Sequence, residues 1–213
     1  MHLANGTLAN DVCTATAALS AAAIAYSLHR ARRSATPSRI GKAVLGSLIV
    51  LGAQALDVTL FNNMTVHVIG AAFLVLLAGP ALAMLGMAAV IVAQALVLSD
   101  GGVAMLGANV LNLGVVAVAA ATACLRLAGR RPGSLPALLA ASLLAGAVSV
   151  AAAITAMAAE LAFSGVSFQS VLAITLPAHA PFIAWETATT LLLVLLAAYA
   201  RAIEPLAGTT STS

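Results

Sequence analysis

The chain has 213 residues, 62% of them hydrophobic and 7% charged, with a mean hydropathy of +1.10. No soluble domain of this length satisfies such a balance, so the chain belongs in a membrane. The net charge of +3 would point to nucleic acid in a soluble protein. Here the basic residues stand at the edges of apolar stretches, where they report topology, and nucleic acid is set aside as a partner.

In chain order, a transition at Asn10-Asp11 starts a helix over 10–29, long enough at about 1.5 Å per residue to cross the hydrocarbon core, and it ends in Arg30, Arg32 and Arg33. The basic cluster follows this apolar stretch instead of preceding it, so the chain is expected to lack a cleavable signal peptide and to export its N-terminus. A linker through Pro37 leads to a second helix over 40–56, closed by Asp57 and the Asn62-Asn63 loop. His67 opens a short third helix that stops at Gly79-Pro80. A fourth begins there and runs to Leu98, before the turn Ser99-Asp100-Gly101-Gly102. A fifth covers 106–127, Arg130-Arg131-Pro132-Gly133 breaks the chain, and a sixth covers 135–163. The seventh follows the loop 165–169 and ends near Arg201. The expected fold class is an all-α polytopic bundle of about seven transmembrane helices. It forms one domain over 1–204, with 205–213 a polar, disordered cytoplasmic tail.

Seven crossings sort the charges. With the N-terminus outside and the C-terminus cytoplasmic, all nine Lys and Arg fall inside, at Arg30, Arg32, Arg33, Arg39, Lys42, Arg126, Arg130, Arg131 and Arg201. Asp57 and Asp100 fall outside with no basic residue beside them, which fixes the orientation by the positive-inside rule. Met1, His2, His67 and His179 then share the outer face, and His29 alone lies inside.

Those outer residues suggest a metal site. A free α-amine, the amide nitrogen of residue two and its imidazole can chelate one cation through fused rings, leaving an in-plane position for a second imidazole. Met1, His2 and His67 supply that set, and an all-nitrogen square suits Ni(II), Co(II) or Cu(II) far better than Mg²⁺ or Ca²⁺. The same residues also fit an accidental Met-His start and a histidine at a helix cap; their convergence on one membrane face favours the metal reading.

Met1-His2-Leu3-Ala4-Asn5-Gly6 resembles the Met-His-Ile-Pro-Asp-Gly start of the CbiM/NikM family, the substrate-binding S components of cobalt and nickel energy-coupling-factor transporters. The resemblance continues in Gln54, in Gly70-Ala71-Ala72 with Leu77-Ala78-Gly79-Pro80, and in Asp100-Gly101-Gly102 followed by Leu106-Gly107-Ala108-Asn109-Val110-Leu111-Asn112-Leu113-Gly114. His179 precedes Trp185-Glu186 much as a histidine precedes Gly-Glu in the family. Leu3-Ala4-Asn5 departs from Ile-Pro-Asp, and Asn62-Asn63-Met64-Thr65-Val66 replaces a Gly/Ser/Thr-rich approach to the histidine, changes that bear on ligand support and metal choice. The resemblance implies a cell-membrane subunit that captures Co²⁺ or Ni²⁺ outside and delivers it inward. Its implied partners are a transmembrane coupling subunit and two cytoplasmic ATPase subunits, with room for a small accessory membrane subunit. It also implies no permanently bound cofactor and no catalysis by the chain itself.

The remaining polar residues read as support. Asn109 and Asn112, three apart, share a helix face and are expected to hold the segment 1–6 in place or to bond across helices. His179 and Glu186, seven apart, share a face with the acid about 10 Å deeper, in an ion pair or hydrogen-bond network before any transport role. Asp100 belongs to its turn and is left out of the ligand set. Cys13 and Cys124 read as small buried hydrophobes. Ala17, Ala21 and Ala25 form a small-residue stripe that fits an internal contact or a partner surface. No Gly-Lys-Ser/Thr phosphate loop is present, so any ATP-driven step falls to a partner; Ser164-Gly165-Val166-Ser167 lacks the base a hydrolase needs. A stand-alone divalent-metal channel or secondary permease is the alternative, weakened because Glu186 is the lone acid expected well inside a crossing segment.

Overall fold

The computed structural model describes the backbone of residues 2–56, 58–59, 65–129 and 135–207, and the side chains of 2–56, 66–127 and 136–196. Met1, Asp57, the Asn62-Asn63 loop, the Arg130-Arg131 break and residues 208–213 lie outside them.

Helix α1 (Asn10–Ser34) runs past His29 through the arginine cluster. Arginine is a good helix former, and cations in the last turn complement the helix dipole. Its buried face is Thr16, Ser20, Ser27 and Ala31, while Ala18, Ala21, Ala22 and Ala25 face outward. Helix α2 (Pro37–Gln54) starts earlier than the apolar pattern suggests, because Thr36 accepts a hydrogen bond from the Arg39 amide and Pro37 occupies the first turn. A two-residue antiparallel pair follows, β1 (Val58–Thr59) with β2 (Thr65–Val66), and is the sole strand pairing among the described residues.

The third helix corrects the sequence expectation. His67 does not open it: residues 67–70 carry no helix, and α3 spans only Ala71–Ala78. Tertiary bonds override local propensity here. Glu186 accepts from the amides of Ile69 and Gly70 at 2.8 and 2.9 Å, and Gln54 donates to the Ile69 carbonyl at 2.6 Å. Gly70 makes the corner at φ 82°, where an added Cβ would lie 2.5 Å from Val50. At about 1.5 Å per residue α3 is roughly 12 Å long and cannot cross the core as a helix. It is apolar all round and packs against α2, α4 (Pro80–Ala93), α6 (Ala117–Gly129), α7 (Leu135–Phe163) and α8 (Phe168–Ala207), as expected of a helix buried inside a bundle.

Helix α4 ends in a π turn, Gln94–Leu98, closed by Ser99 in the left-handed region. After a 3₁₀ turn, α5 (Leu106–Asn109) passes through a π stretch, Val110–Val116, into α6. Helix α8 continues beyond Arg201 to Ala207. Five helical stretches among the described residues are long and apolar enough to cross a membrane: Asn10–Ser34, Pro80–Leu98, Val103–Leu127, Pro136–Phe163 and Phe168–Leu196. The protein is an all-α, multi-pass membrane bundle.

Candidate metal centre

Residues 2–9 form no regular element, yet Leu3 and Leu8 are buried. Backbone groups with no helical partner must be satisfied some other way. Asn109 does this for Leu3 on both sides: its side-chain oxygen accepts the Leu3 amide at 2.8 Å and its amide donates to the Leu3 carbonyl at 3.2 Å. The Gly102 amide donates to the same carbonyl at 2.9 Å. Asn5 accepts from the Ala104 amide at 3.0 Å, and Ser164, at the end of α7, accepts from the Ala9 amide at 3.0 Å. An added Cβ on Gly101 would stand 3.1 Å from the His2 Cβ, so the 100–102 turn closes directly over the histidine.

This clamp brings His2 against His67. The two rings stack with centroids 4.8 Å apart and planes 22° from parallel. His67 is fully buried. Its Nδ1 lies 2.8 Å from the Val68 carbonyl, which can only accept, so Nδ1 carries the proton and Nε2 keeps its lone pair. That Nε2 has no hydrogen-bond partner. In that tautomer the ring is neutral, the form that binds a metal.

His2 Nδ1 lies 3.1 Å from Asp100 Oδ2. That hydrogen bond is the main reason the Asp100 carboxyl sits below the usual range, against an opposing effect of partial burial. The carboxylate thus occupies the ring nitrogen that an N-terminal chelate would use. The Met1 amine lies outside the described residues.

His179, on α8, repeats the pattern of His67. It is fully buried, its Nδ1 lies 2.8 Å from the Thr175 carbonyl, and its Nε2 has no hydrogen-bond partner. Glu186, two turns further along the same face, bonds the Ile69 and Gly70 amides instead of His179. It thereby holds the bend between His67 and α3. Asn112 does not join Asn109 on the N-terminal segment; it donates to Glu160 of α7 at 2.8 Å. Sequence reasoning missed Glu160, Asn5 as a clamp residue, and Gln94, which is fully buried with neither side-chain atom hydrogen-bonded. A signal existed for Glu160 and Gln94, since a polar residue inside an apolar run is costly unless it has a task. Cys13 and Cys124 are free thiols.

Around the two stacked rings the interior thus offers neutral imidazole nitrogen, with a carboxylate at the rim, inside a wall of backbone hydrogen bonds. Among the described residues no group of three or more His, Cys, Asp or Glu side chains stands together as a metal cage.

Known proteins share this fold. A crystal structure of a transition metal transporter superposes with a TM-score of 0.87 at 22% identity, covering 99% of this chain and 98% of that one. A truncated transition metal transporter gives 0.83 at 23% identity over 92% and 97%. These establish the fold. A protein of Archaeoglobus fulgidus named as a fused nickel transport protein, NikMN, is 34% identical over 118 residues, 55% of this chain and 39% of that protein. One of Haloquadratum walsbyi named as a metal transport protein is 41% identical over 69 residues, 32% of each chain. A third, of Lactiplantibacillus plantarum, named as a fused nickel transport protein, LarMN, is 34% identical over 88 residues, 39% of this chain and 27% of that one. Each match spans well under half of the relative's own length. The family profile described as CbiM, the cobalt uptake substrate-specific transmembrane region, matches residues 2–203, and the chain therefore belongs to the CbiM family.

Proposed function

We propose that the protein is the metal-capturing subunit of an energy-coupling-factor importer. It binds Co²⁺ or Ni²⁺ at the outer face through the Met1 amine, the His2 amide nitrogen and ring, and His67, and passes the ion inward with partner subunits. The observation that carries this reading is the His2–His67 pair, with His67 neutral and its Nε2 unpartnered. With metal–nitrogen bonds of about 2.0–2.1 Å, two imidazoles on adjacent corners of one coordination square have ring centres roughly 4–5 Å apart. The 4.8 Å separation of these rings matches that distance, and their stacked planes, 22° from parallel, must turn for both lone pairs to meet one ion. Asn109, Asn5, Glu186 and Asp100 would act around the ligands, and His179 would present a further nitrogen from α8.

The full reading has seven crossings, with residues 65–78 as a broken third crossing, the N-terminus outside and the C-terminus cytoplasmic. The arginines support this sidedness. Arg30, Arg39 and Arg126 share one end of the bundle, and Arg30 lies about 30 Å along α1 from Asn10 at the helical rise, beside which Ala9 bonds Ser164. A coupling subunit and two ATPases complete the transporter in this reading, and the outward alanine face of α1 is a surface on which a membrane partner can pack closely.

Calorimetric titration of Co²⁺ and Ni²⁺ into protein with its native N-terminus tests the site. His67→Ala is expected to weaken binding at least tenfold, roughly the scale of losing one imidazole nitrogen from the square, while circular dichroism stays helical. Unchanged affinity removes His67 from the site. Metal flux in vesicles holding this chain alone would favour the channel or permease reading, whereas co-purification of a membrane subunit with nucleotide-binding subunits supports the importer. Ala21→Phe disturbs that assembly if α1 is the docking face.

A further inference from the structure

At the end of the bundle far from His2, three arginines surround a cavity of about 530 Å³. Arg30 comes from the C-terminal part of α1, Arg39 from the start of α2, and Arg126 from the end of α6. Arg39 is fixed in place: its guanidinium donates to the carbonyls of Ser34 at 3.1 Å and Ala78 at 3.0 Å. Neither bond neutralises it, and no Asp or Glu lines the cavity. The Arg30 and Arg126 guanidinium groups have no hydrogen-bond or ion-pair partner among the described residues, although the Arg30 carbonyl accepts from Ser34.

Deeper in, the lining changes character to Ala23, Met84, Val115, Val118 and Ala119. From Arg126 to Val115 is about 16 Å along the helix at 1.5 Å per residue, the reach of much of one acyl chain in a hydrocarbon core about 30 Å thick. A cavity with uncompensated guanidinium groups at its mouth and an apolar floor along the membrane normal has the polarity profile of an anionic amphiphile. Guanidinium groups bind phosphate oxygens bidentately, and basic pockets between transmembrane helices hold anionic head groups.

We propose that this cavity binds one anionic phospholipid, its phosphate held by Arg30, Arg39 and Arg126 and one acyl chain lying along Met84, Val115 and Val118. The lipid closes the gap between α1 and α6, two helices that the cavity keeps apart at this end.

Native mass spectrometry tests this on the full chain released from nanodiscs of phosphatidylglycerol or phosphatidylcholine with matched acyl chains. One phosphatidylglycerol is expected to stay bound, with at least a tenfold preference over phosphatidylcholine. The Arg30→Ala/Arg126→Ala variant should lose that preference. Arg32→Ala/Arg33→Ala removes the same total charge, both from α1, without touching the cavity lining, and should keep it. Ala119→Phe, which leaves every arginine in place and fills the apolar floor, should also release the lipid. Equal loss in the two double variants would reduce the effect to diffuse surface charge and overturn the site. Competition by millimolar inorganic phosphate as effective as by the lipid would make it an anion pocket instead, and retention of lipid by Ala119→Phe would place the chain elsewhere. Metal titration of each variant at the His2 end reports that the bundle is folded, and its result is independent of the lipid readout.

Discussion

Residues 2–9 and helix α8 are opposites. The first has no regular structure but is pinned to α5, to the 100–104 turn and to the end of α7 by hydrogen bonds through Asn109, Gly102, Asn5 and Ser164. The second is a single helix, Phe168–Ala207, with few of its described side chains buried. Its buried polar residues, Thr175, His179, Glu186 and Thr190, fall at steps of four, seven and four, so one stripe faces the bundle and the rest faces outward. A helix positions side chains by its own period. An irregular segment is positioned only by what it is bonded to, so its precision depends on distant residues and fails when one of them changes.

The largest test of that contrast is at the N-terminus. In the proposed chelate the α-amine is itself a ligand, so one extra residue before Met1, or acetylation of its amine, is expected to abolish calorimetrically detectable Co²⁺ or Ni²⁺ binding. A tag after Ser213 should be without effect. An N-terminally tagged protein that bound as tightly as the native one would force the site to be rebuilt from side chains alone.

Asn109 comes next. Asn109→Ala removes both bonds to Leu3 and leaves a buried amide unpaired, a cost of about 1–3 kcal/mol. Loss of such outer support typically lowers metal affinity about 10- to 100-fold, and that range is expected here. Asn109→Asp keeps the acceptor for the Leu3 amide, and Gly102 still serves the carbonyl, so its loss should be smaller. Equal affinity in wild type and Asn109→Ala would mean that residues 2–9 are positioned without the clamp.

Much of this was legible beforehand, and the misses have physical causes. Hydropathy located the long helices, and α7 spans the same 135–163 that the apolar run suggested. Met1, His2 and His67 were singled out by donor chemistry, and His2 and His67 do meet. The state of residues 67–70 was not legible, because Gln54 and Glu186, 15 and 117 residues from Ile69, hold the backbone out of the helix its composition favours. Of the two tasks open to Asn112, holding residues 1–6 or bonding across helices, it performs the second, donating to Glu160 of α7 from within the π stretch that begins at Val110.

A smaller effect is expected at Glu186→Gln. The carboxylate accepts from two amides with both oxygens, and an amide side chain must turn one NH₂ toward an N–H donor. The variant should unfold at lower temperature, by the roughly 1–3 kcal/mol of one mismatched buried group. Metal affinity should drop severalfold, because the bend it holds begins two residues after His67. A melting temperature equal to wild type would show that the amides find other acceptors.

The smallest effect, and the one that resolves how protons compete with the ion, belongs to Asp100→Asn. A solvated imidazole titrates near 6.5 and an α-amine near 7.7–8.0, and acid weakens binding wherever a ligand takes up its proton. Asp100 is a carboxyl whose pKa is lowered by its bond to His2. It stays ionised throughout the range where metal binds, and its contribution is lost only as pH falls through that lowered value. Its bond holds a proton on His2 Nδ1, the proton a chelated ion must displace, while its charge attracts the ion. At pH 8, where proton competition is weak, Asp100→Asn should lose affinity about two- to threefold, the scale of one partly exposed charge. Near pH 6.5 the loss should vanish or reverse, because the displaced proton is no longer held by a carboxylate. A parallel loss at both pH values would make Asp100 a simple electrostatic attractor with no hold on the His2 ring.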